Sequence, residues 1–411
     1  MFETHSSEPA VPSAPLRVLI ITESFLPQVN GVTNSVCRVL EHLAERGHRA
    51  AVIAPTGPAQ YAGADVHTVG GMDLPGYNGF TVGLATRRRL RRIMEQFRPD
   101  VVHMASPFVL GHAAVRAANS LHIPVVSVYQ TDVVGFARRY RMRATEGPIK
   151  HRLRRIHIRS DLTLAPSAAS IDQLEELGIP RLRFWPRGVD TVRFTPQRRS
   201  EPLRQRLLQQ AGGAAGGGEV LAGYIGRLAK EKDLPHLRSL SRIPGVRLAL
   251  VGEGPEQEHL QEELPEALFL GAQHGDQLAE TMASLDIFVH TGGEETFCQA
   301  VQESLASGVP AVGPNAGGLK DRIEHGVNGL HYAPGDLDGL RAAVDRLVHD
   351  PRMRRRMGAA ARQALTERSW GVLNDLLIGH YWDAITGTAP VSAFPGRSDL
   401  HGWKGRHGLA V

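Results

Sequence analysis

Two glutamates that stand eight positions apart are the residues of this chain that point most directly to chemistry. Glu295 and Glu303 lie in HTGGEETFCQAVQESLASGVPAVGPNAGG, with glycine-rich loops on both sides. Thr296 and Gln299 match a capping box, which predicts a helix that begins directly after Thr296. Glu295 would then lie at the mouth of the helix, and Glu303 would lie about 10 Å along it.

The start of this predicted helix is a candidate anion site. Its first backbone N–H groups, those of Phe297, Cys298 and Gln299, have no partner within the helix, and the helix dipole adds positive potential. A diphosphate there, with hydroxyl-bearing sugars on either side, would explain both glutamates, because carboxylates accept hydrogen bonds from hydroxyls. Cations must then lie nearby. Arg227 and Lys232 in GRLAKEKDL are the candidates, and the alternative is that each is a solvated surface charge.

Most predicted strands of the second half end in glycine or polar residues. These strand ends are Gly226-Arg227, Gly252 to Gly254, Gly271, Thr291 to Glu295, and Asn315 to Gly318. Ligands of open α/β sheets bind beyond the carboxyl ends of the strands. We therefore expect the five loops to meet at one rim, although strand-to-helix loops are polar and glycine-rich in many proteins.

Short apolar strands alternate with helical patterns along the whole chain. This rhythm predicts two α/β domains, each with a mainly parallel sheet. It breaks once, at a polar and then glycine-rich segment. The expected parts are a disordered N-terminus (1–16), a first domain (17–195), a linker or loop (196–219), a second domain (220–370), a C-terminal helix that packs back toward the first domain (371–386) and a flexible tail (387–411).

Composition narrows the class of protein. With 42% apolar and 22% charged residues, the 411-residue chain has the composition of a globular protein. No apolar run reaches the ~18 residues of a membrane span, and the N-terminal residues do not resemble a signal peptide. Cys37 and Cys298 lie far apart without metal-ligand spacing, which favours free thiols in the cytoplasm. No Asp-x-Asp motif lies in a loop suited to a divalent ion, so no metal is expected.

The positive charge is concentrated in the first half of the chain. Residues 1–190 carry a formal charge of +7 and the remainder carries −2. A solvated basic face is one interpretation, and reversible binding to an anionic membrane surface, at the inner face of the plasma membrane, is the other. A nucleic-acid partner is not expected, because aromatic residues are not interleaved with the cations. The basic segments are 137–160 and the run RRRLRR, which contains Arg87, Arg88, Arg89, Arg91 and Arg92.

Several motifs in order resemble one enzyme family. GRLAKEK and the spaced glutamates are similar to those of the retaining GT-B glycosyltransferases of the family 4 type, and the resemblance covers about residues 17–385. PQVNGV resembles that family's donor-phosphate loop, RGVDTVRFTP the segment that closes the first domain, and VGEGPE the loop near the nucleobase. The resemblance implies a GT-B fold, in which two Rossmann-like domains face each other across a cleft. It also implies a nucleotide-sugar as substrate and no cofactor.

The resemblance assigns roles to individual residues. Arg227 and Lys232 would hold the donor diphosphate and stabilise the departing nucleotide. Glu295 would hold the transferred sugar, and Glu303 would bind the ribose hydroxyls. The other donor-binding candidates act through their backbone: Gly31 at the phosphates, Gly252 and Gly254 in the nucleobase loop, and Phe297, Cys298 and Gln299 at the sugar.

This sequence departs from the family pattern at two positions. Cys298 stands where glycine is common, which adds bulk beside the sugar. Gln130, in VYQTD, stands where many members have a histidine that contacts the sugar, and glutamine cannot titrate. Asp132 is either a base for the acceptor or a structural Asx residue. The glutamine form, together with PGY (75–77) and RPDVVHMASP (98–107), is most similar to GDP-mannose-dependent α-mannosyltransferases that act on lipid acceptors.

The function implied is retaining, metal-independent transfer of a hexose, mannose in the first place, to a glycolipid or glycan acceptor. The acceptor would attack on the face from which the diphosphate leaves, and the leaving phosphate would take its proton. One alternative is a UDP-sugar-dependent transferase with a soluble acceptor. A nicotinamide-dependent dehydrogenase also has Rossmann-like domains, but TESFLPQVNG does not match GxGxxG. A basic nucleic-acid-binding protein and a pyridoxal-phosphate-dependent phosphorylase are further alternatives, and the sequence favours neither.

Overall fold

The computed structural model describes residues 14–28, 30–73, 81–132, 146–213 and 218–388. The sequence expectations for most of the N-terminus, for PGY at 75–77 and for most of the C-terminal tail lie outside these residues, as do parts of the basic segment and of the linker. The position of Leu16 shows that the predicted boundary between the disordered N-terminus (1–16) and the first domain is wrong. This residue was expected in a disordered terminus, but it is buried and donates its N–H to His48 Nδ1 at 3.0 Å.

The first half of the chain forms an eight-stranded sheet within the described residues, and the two strands of a separate antiparallel hairpin lie beside it. The continuous apolar runs of its central strands are typical of parallel strands covered on both faces. In chain order the strands are β1 (Arg17–Ile21), β2 (Arg49–Ala54), β3 (Gln60–Tyr61), β4 (Ala64–Thr68), the hairpin strands β5 (Gly70–Asp73) and β6 (Thr81–Leu84), β7 (Val101–Met104), β8 (Val125–Val128), β9 (Leu162–Ala165) and β10 (Leu182–Phe184).

The order across this sheet is β10-β9-β8-β7-β1-β2-β4-β3, and all neighbours are parallel except β3 and β4. The helix after β1 forms as its sequence predicts. Asn30 accepts from the N–H groups of Val32 and Thr33 at 3.0 Å, and the apolar face is buried. The described helices of this half are α1 (Gly31–Glu45), α2 (Arg87–Phe97), α3 (Val109–Asn119), α4 (Glu146–His157) and α5 (Ala168–Glu176).

The second half forms a six-stranded sheet in which every pair of neighbours is parallel. Its order is that of a doubly wound unit, with the chain moving outward from β11 in both directions. The two α/β units confirm the predicted fold class. The strands are β11 (Val220–Ile225), β12 (Val246–Val251), β13 (Leu268–Phe269), β14 (Ile287–Val289), β15 (Ala311–Pro314) and β16 (Gly329–Tyr332), in the order β13-β12-β11-β14-β15-β16.

The segment predicted as a linker or loop, 196–219, contains a helix instead. In α6 (Glu201–Gln210), Ser200 caps the first turn and Leu207 and Leu208 are buried in the core of the second half. Arg204 also binds the buried carboxylate of Asp286 at 2.8 Å. The polar composition that suggested a loop is that of a helix with only a narrow buried stripe. The expectation of an irregular connection is therefore wrong for these residues.

The helices that follow cover both faces of the second sheet, and the last one crosses back to the first. Leu377, Ile378 and Tyr381 of this last helix lie in the core of the first half, where Tyr381 Oη is 2.6 Å from His103 Nδ1. No helix of the described ranges has the length and apolarity to span a bilayer. These helices are α7 (Gln257–Glu263), α8 (Gly275–Ser284), α9 (Gln299–Ala306), α10 (Leu319–Arg322), α11 (Leu337–His349), α12 (Pro351–Gln363) and α13 (Trp370–Thr386).

Candidate functional site

The loops after β11, β12 and β13 meet at the carboxyl edge of the second sheet, and glycine permits their close approach. A Cβ on Gly252 would lie 1.9 Å from Gly226 O, and one on Gly254 would lie 2.1 Å from Leu228 O. The N–H of Gly252 also donates to Gly271 O at 2.8 Å. Gly252 and Gly254 therefore hold the loop that follows β11, which carries Arg227, in place.

The loops after β14 and β15 join the same rim. A Cβ on Gly292 would lie 2.8 Å from Glu231 O, so this loop touches the one after β11. Gly318 donates its N–H to Glu295 O at 2.6 Å, which ties the loop after β15 to the loop after β14. The prediction that the five loops meet at one rim is confirmed.

The predicted capping box at Thr296 is wrong. The helix begins at Gln299, two residues later than predicted, and its N-cap is Cys298, which has the left-handed φ of +64°. Thr296 does not cap this helix, because its Oγ1 donates to Gln130 O of the first half at 3.0 Å. A hydrogen bond between the two halves of the chain therefore replaces the predicted helix cap, and the local sequence does not reveal this distant partner.

The shifted helix start moves the predicted anion site as well. Phe297 and Cys298 precede α9, so their N–H groups are not in its first turn, as had been expected. Glu303 is the fifth residue of α9 rather than the seventh. Phe297 is a core residue with 1% of its surface exposed, and the guanidinium of Arg322 lies 4.8 Å from its ring centre. The backbone of this segment still lines the rim, but its sugar-binding role stays a prediction.

Glu295 and Lys232 form a mostly buried ion pair at the centre of the rim. Lys232 Nζ lies 2.5 Å from Glu295 Oε1, and His290 Nε2 lies 3.2 Å from the same oxygen. Burial alone would raise the pKa of Glu295, but Lys232 and His290 hold it well below its usual range. Burial would lower the pKa of Lys232, and Glu295 raises it above its usual value instead. The carboxylate and the ammonium are therefore both charged.

His290 is a member of this cluster that the sequence analysis missed. It follows β14, and its Nδ1 lies 3.8 Å from Cys298 Sγ. Burial would lower the pKa of His290, but Cys298 and Glu295 together raise it to about 9. Its position five residues before Glu295, at a strand end, was the signal available in the sequence. Ligand atoms of His290, Glu295 and Cys298 lie within 4.8 Å of one another, yet the Lys232 ammonium on the same carboxylate disfavours a divalent cation there.

Arg227 lies in the loop after β11 and is partly exposed. The backbone of this loop is held by Tyr224, whose Oη donates to Arg227 O at 3.0 Å. The loop runs on to Lys232, whose backbone oxygen accepts from Thr291 Oγ1 at 2.6 Å. The two cations predicted to bind a diphosphate therefore lie on one fixed loop at the rim.

Glu303 lies one helical turn beyond Gln299 and faces charged groups of the first half of the chain. Burial raises the pKa of Glu303 to about 7, although hydrogen bonding from Gln299 and the charge of Arg38 lower it. Asp190 opposes this lowering. Glu303 is thus a carboxyl group that changes its charge near neutral pH, in a position between the two α/β units.

The acceptor-side candidates have defined partners. Gln130, at the carboxyl end of β8, is buried, and its Oε1 accepts from Arg187 Nη2 at 2.8 Å. Asp132 accepts from Tyr129 Oη at 3.2 Å and from Gln173 Nε2 at 3.4 Å. The choice between a base and a structural role for Asp132 stays open. Arg187 is the second residue that the sequence analysis missed, since RGVDTVRFTP was used only as a family motif.

Gly31 is the first residue of α1 and lies against Arg187. A Cβ on Gly31 would be 2.6 Å from Arg187 Nη1. Gly31, which was predicted to let the backbone approach a phosphate, therefore leaves space that the guanidinium of Arg187 occupies.

The basic run RRRLRR lies on an amphipathic helix. Leu90, Ile93 and Met94 of α2 are buried, and the arginines lie on the other face, where Arg91 pairs with Glu95 at 3.1 Å. The helices α2 and α4 both pack against α3. The exposed arginines of the basic face are Arg87, Arg88, Arg89 and Arg92 of α2 and Arg152, Arg154 and Arg155 of α4.

Family models match most of the chain. The model described as Glycosyltransferase Family 4 matches residues 29–193, and the one described as Glycosyl transferases group 1 matches residues 208–364. A GDP-mannose-dependent alpha-mannosyltransferase of Mycobacterium tuberculosis is 45% identical over 92% of this chain and 99% of that protein. A Corynebacterium glutamicum protein of the same name is 43% identical over 90% of each.

Solved structures of similar fold include that of Anabaena Alr3699/HepE in complex with UDP-glucose. It has a TM-score of 0.73 at 19% sequence identity, over 90% of this chain and 100% of that chain. At this identity the likeness concerns the fold alone, and it confirms the predicted GT-B fold.

Proposed function

We propose that this chain, which belongs to glycosyltransferase family 4, transfers mannose from GDP-mannose to a glycolipid or glycan acceptor, with retention of the anomeric configuration and without a metal. The observation that carries the proposal is the ion pair of Lys232 and Glu295 at the rim where the strand-end loops converge. The ammonium can bind a phosphate and the adjacent carboxylate can accept hydrogen bonds from a sugar, and in a nucleotide-sugar the phosphate and the sugar are directly bonded. The names of the relatives support mannose and the guanine nucleotide.

In the proposed reaction, Arg227 and Lys232 bind the diphosphate and stabilise the negative charge that grows on it as the sugar leaves. Glu295 accepts hydrogen bonds from the mannose hydroxyls, and its charge is stabilised by His290, whose Nε2 lies 3.2 Å from its Oε1. Glu303 accepts from the ribose hydroxyls. The acceptor hydroxyl attacks on the face from which the diphosphate departs, and a phosphate oxygen takes its proton.

A panel of sugar nucleotides tests this proposal without knowledge of the acceptor. We expect slow hydrolysis of GDP-mannose, with α-mannose as the first product by proton NMR. Hydrolysis of UDP-glucose in preference to GDP-mannose would favour the alternative of a UDP-sugar-dependent enzyme. Initial release of β-mannose would contradict retention, and hydrolysis of no sugar nucleotide would refute the donor assignment. Chelator at millimolar concentration should leave the rate unchanged.

We also propose that the basic face on α2 and α4 binds an anionic membrane surface peripherally and so brings the enzyme to a lipid acceptor. Each Lys or Arg near such a surface contributes about 1 kcal/mol of attraction. The hairpin of β5 and β6 adds apolar contact area, since Met72 and Leu84 are 56% and 47% exposed. Both residues lie on one face of the hairpin, while Gly83 lies on the opposite face, against Leu110.

Co-sedimentation with vesicles measures this binding. Wild-type protein should bind vesicles that contain phosphatidylglycerol at low salt and should be released at about 0.5 M salt, where the Debye length is a few ångströms. A variant in which Arg87, Arg88 and Arg92 are replaced by glutamine should bind less, and replacement of three arginines of α12 should not reduce binding. Equal binding to neutral and anionic vesicles would rule out the electrostatic mechanism and favour a soluble acceptor.

A further inference from the structure

Arg187 carries a buried positive charge at the boundary of the two α/β units. Only 7% of its surface is exposed. Burial lowers the pKa of Arg187 to about 10, and the charge of Glu295 partly offsets this effect. At neutral pH the guanidinium is therefore still charged.

Among the residues that the structure describes, the hydrogen-bond partner of this guanidinium is a neutral amide. Arg187 Nη2 donates to Gln130 Oε1 at 2.8 Å, and its Nε has no hydrogen-bond partner among the described residues. No carboxylate of the described ranges lies within ion-pair distance of its guanidinium. A buried charge without an anion in contact is costly, so buried arginines are normally paired. An anionic ligand would complete the environment of this side chain.

The guanidinium points to the N-terminus of a long helix. Its Nη1 lies against Gly31, the first residue of the 15-residue helix α1. Asn30 already caps the N–H groups of Val32 and Thr33, so it is the dipole of this terminus that attracts an anion. Two independent features, a buried guanidinium with an unpartnered nitrogen and a helix N-terminus, thus face the same point.

The backbone at Arg187 and Gly188 is held on two sides. Arg187 O accepts from Gln302 Nε2 at 2.7 Å, and Gly188 O accepts from Gln299 Nε2 at 3.1 Å, so α9 holds both residues. On the other side, a Cβ on Gly188 would be 2.4 Å from Trp370 Cα. The guanidinium is therefore held in place before any ligand arrives, which lowers the entropy lost on binding.

We propose that Arg187 is a third cation of the donor site and binds the diphosphate of the nucleotide-sugar at the N-terminus of α1, with Gln130 as its positioning residue. This inference rests on the proposed function. It gives Gln130 a different role from the histidine that many relatives have there: the amide orients a guanidinium and needs no titration. Arg187 and Gly31 then approach the diphosphate from the first α/β unit, and Arg227 and Lys232 from the second.

Calorimetry with three ligands separates this role from a purely structural one. The ligands are GDP, guanosine and inorganic pyrophosphate. Arg187→Gln should weaken binding of GDP and pyrophosphate about tenfold or more, as for loss of a charge-assisted hydrogen bond, and should leave guanosine binding unchanged. Arg187→Lys should retain part of the affinity, because lysine supplies a point charge without the guanidinium fork. The matched control is Arg242→Gln, at an exposed arginine, and it should change none of the three.

A second variant tests the same contact without truncating Arg187. Gln130→Glu keeps the shape of the side chain and places a carboxylate 2.8 Å from Nη2, where it competes with the phosphate. It should weaken GDP and pyrophosphate binding, because the guanidinium gains a carboxylate partner that a phosphate must displace. Equal weakening of guanosine and GDP in Arg187→Gln, or unchanged GDP affinity in both variants, would overturn the proposal.

These measurements distinguish the inference from the proposed function. Failure of the wild-type protein to bind GDP would refute the donor assignment. The comparison of wild-type and Arg187→Gln protein with pyrophosphate would still decide whether Arg187 binds a diphosphate.

Discussion

Replacement of Glu303 by glutamine should remove most of the pH dependence of GDP binding between pH 6 and pH 8. Burial raises the pKa of Glu303 to about 7, so its carboxyl group titrates within this interval. Only the carboxylate can accept two hydrogen bonds from the ribose hydroxyls, whereas the protonated form is itself a donor. Protons and GDP therefore compete for Glu303 if it binds the ribose.

The size of the effect follows from the fraction of carboxylate. With a pKa near 7, this fraction is about one tenth at pH 6 and about nine tenths at pH 8, so the apparent Kd for GDP should fall about tenfold over the interval. GDP has a phosphate group that titrates in the same range. Its contribution is the same for wild-type and Glu303→Gln protein, so the difference between the two slopes belongs to Glu303.

The assay is calorimetry at pH 6, 7 and 8 on wild-type protein, Glu303→Gln and the exposed-residue control Glu262→Gln. The control should follow the wild type. Parallel pH profiles for wild type and Glu303→Gln would refute the ribose role.

The raised pKa of Glu303 can also be checked without any ligand. The folded state binds the proton of Glu303 more tightly than the unfolded state, whose pKa is near the ordinary 4.5. The contribution of Glu303 to stability should therefore be largest below about pH 4.5, and it should fall by up to about 3 kcal/mol as pH rises from about 4.5 to 7. Urea unfolding should show this decline in the wild type and a smaller one in Glu303→Gln. Identical declines would show that burial does not perturb this carboxyl group.

Three further predictions concern the rim. Arg227→Gln should lower turnover at least about tenfold at unchanged melting temperature, because a charge-assisted contact contributes roughly 1.5–3 kcal/mol. Wild-type turnover in this variant would contradict the role of Arg227 in diphosphate binding. Gly254→Ala should lower both the melting temperature and GDP affinity, because its Cβ would lie 2.1 Å from Leu228 O, whereas Gly379→Ala, which meets nothing within 4 Å, should lower neither. The pKa of His290 is raised from 6.5 to about 9 in the folded state, so its contribution to stability is lost as pH rises through this interval. His290→Asn should therefore lose less stability than the wild type between pH 6.5 and about pH 9, as measured by urea unfolding.

The sequence was sufficient to predict an element of structure where its local pattern agrees with its burial in the fold. The helix α1 has its cap at Asn30 and an apolar face at helical spacing, and it forms as predicted. The convergence of the strand-end loops was predictable too, since parallel strands bring their carboxyl ends to one edge. The family motifs then predicted which of these loops carry function.

Local pattern failed where a partner distant in sequence competes for the same group. Thr296 matches a capping box, but its hydroxyl binds the carbonyl of Gln130, which is 166 residues away. The helix α6 looked like a linker because only two of its leucines are buried. Arg187 and His290 were missed for a related reason: unlike Arg227 and Lys232, they were not singled out by a motif, and what distinguishes them is burial, which is a property of the fold.

The structure also accounts for two carboxylates near the proposed diphosphate site, an arrangement that would repel the diphosphate if both were charged and unpaired. Glu295 is neutralised by Lys232 at 2.5 Å, and His290 adds positive charge at 3.2 Å. Glu303 is protonated in a large fraction of molecules at neutral pH, because burial raises its pKa to about 7. A diphosphate that approaches Lys232 and Arg187 therefore meets a net positive rim. As it shares the Lys232 ammonium, it weakens the hold of that cation on Glu295, which is then free to accept hydrogen bonds from the sugar hydroxyls. Donor binding and the release of the sugar-binding carboxylate are thus expected to be one event.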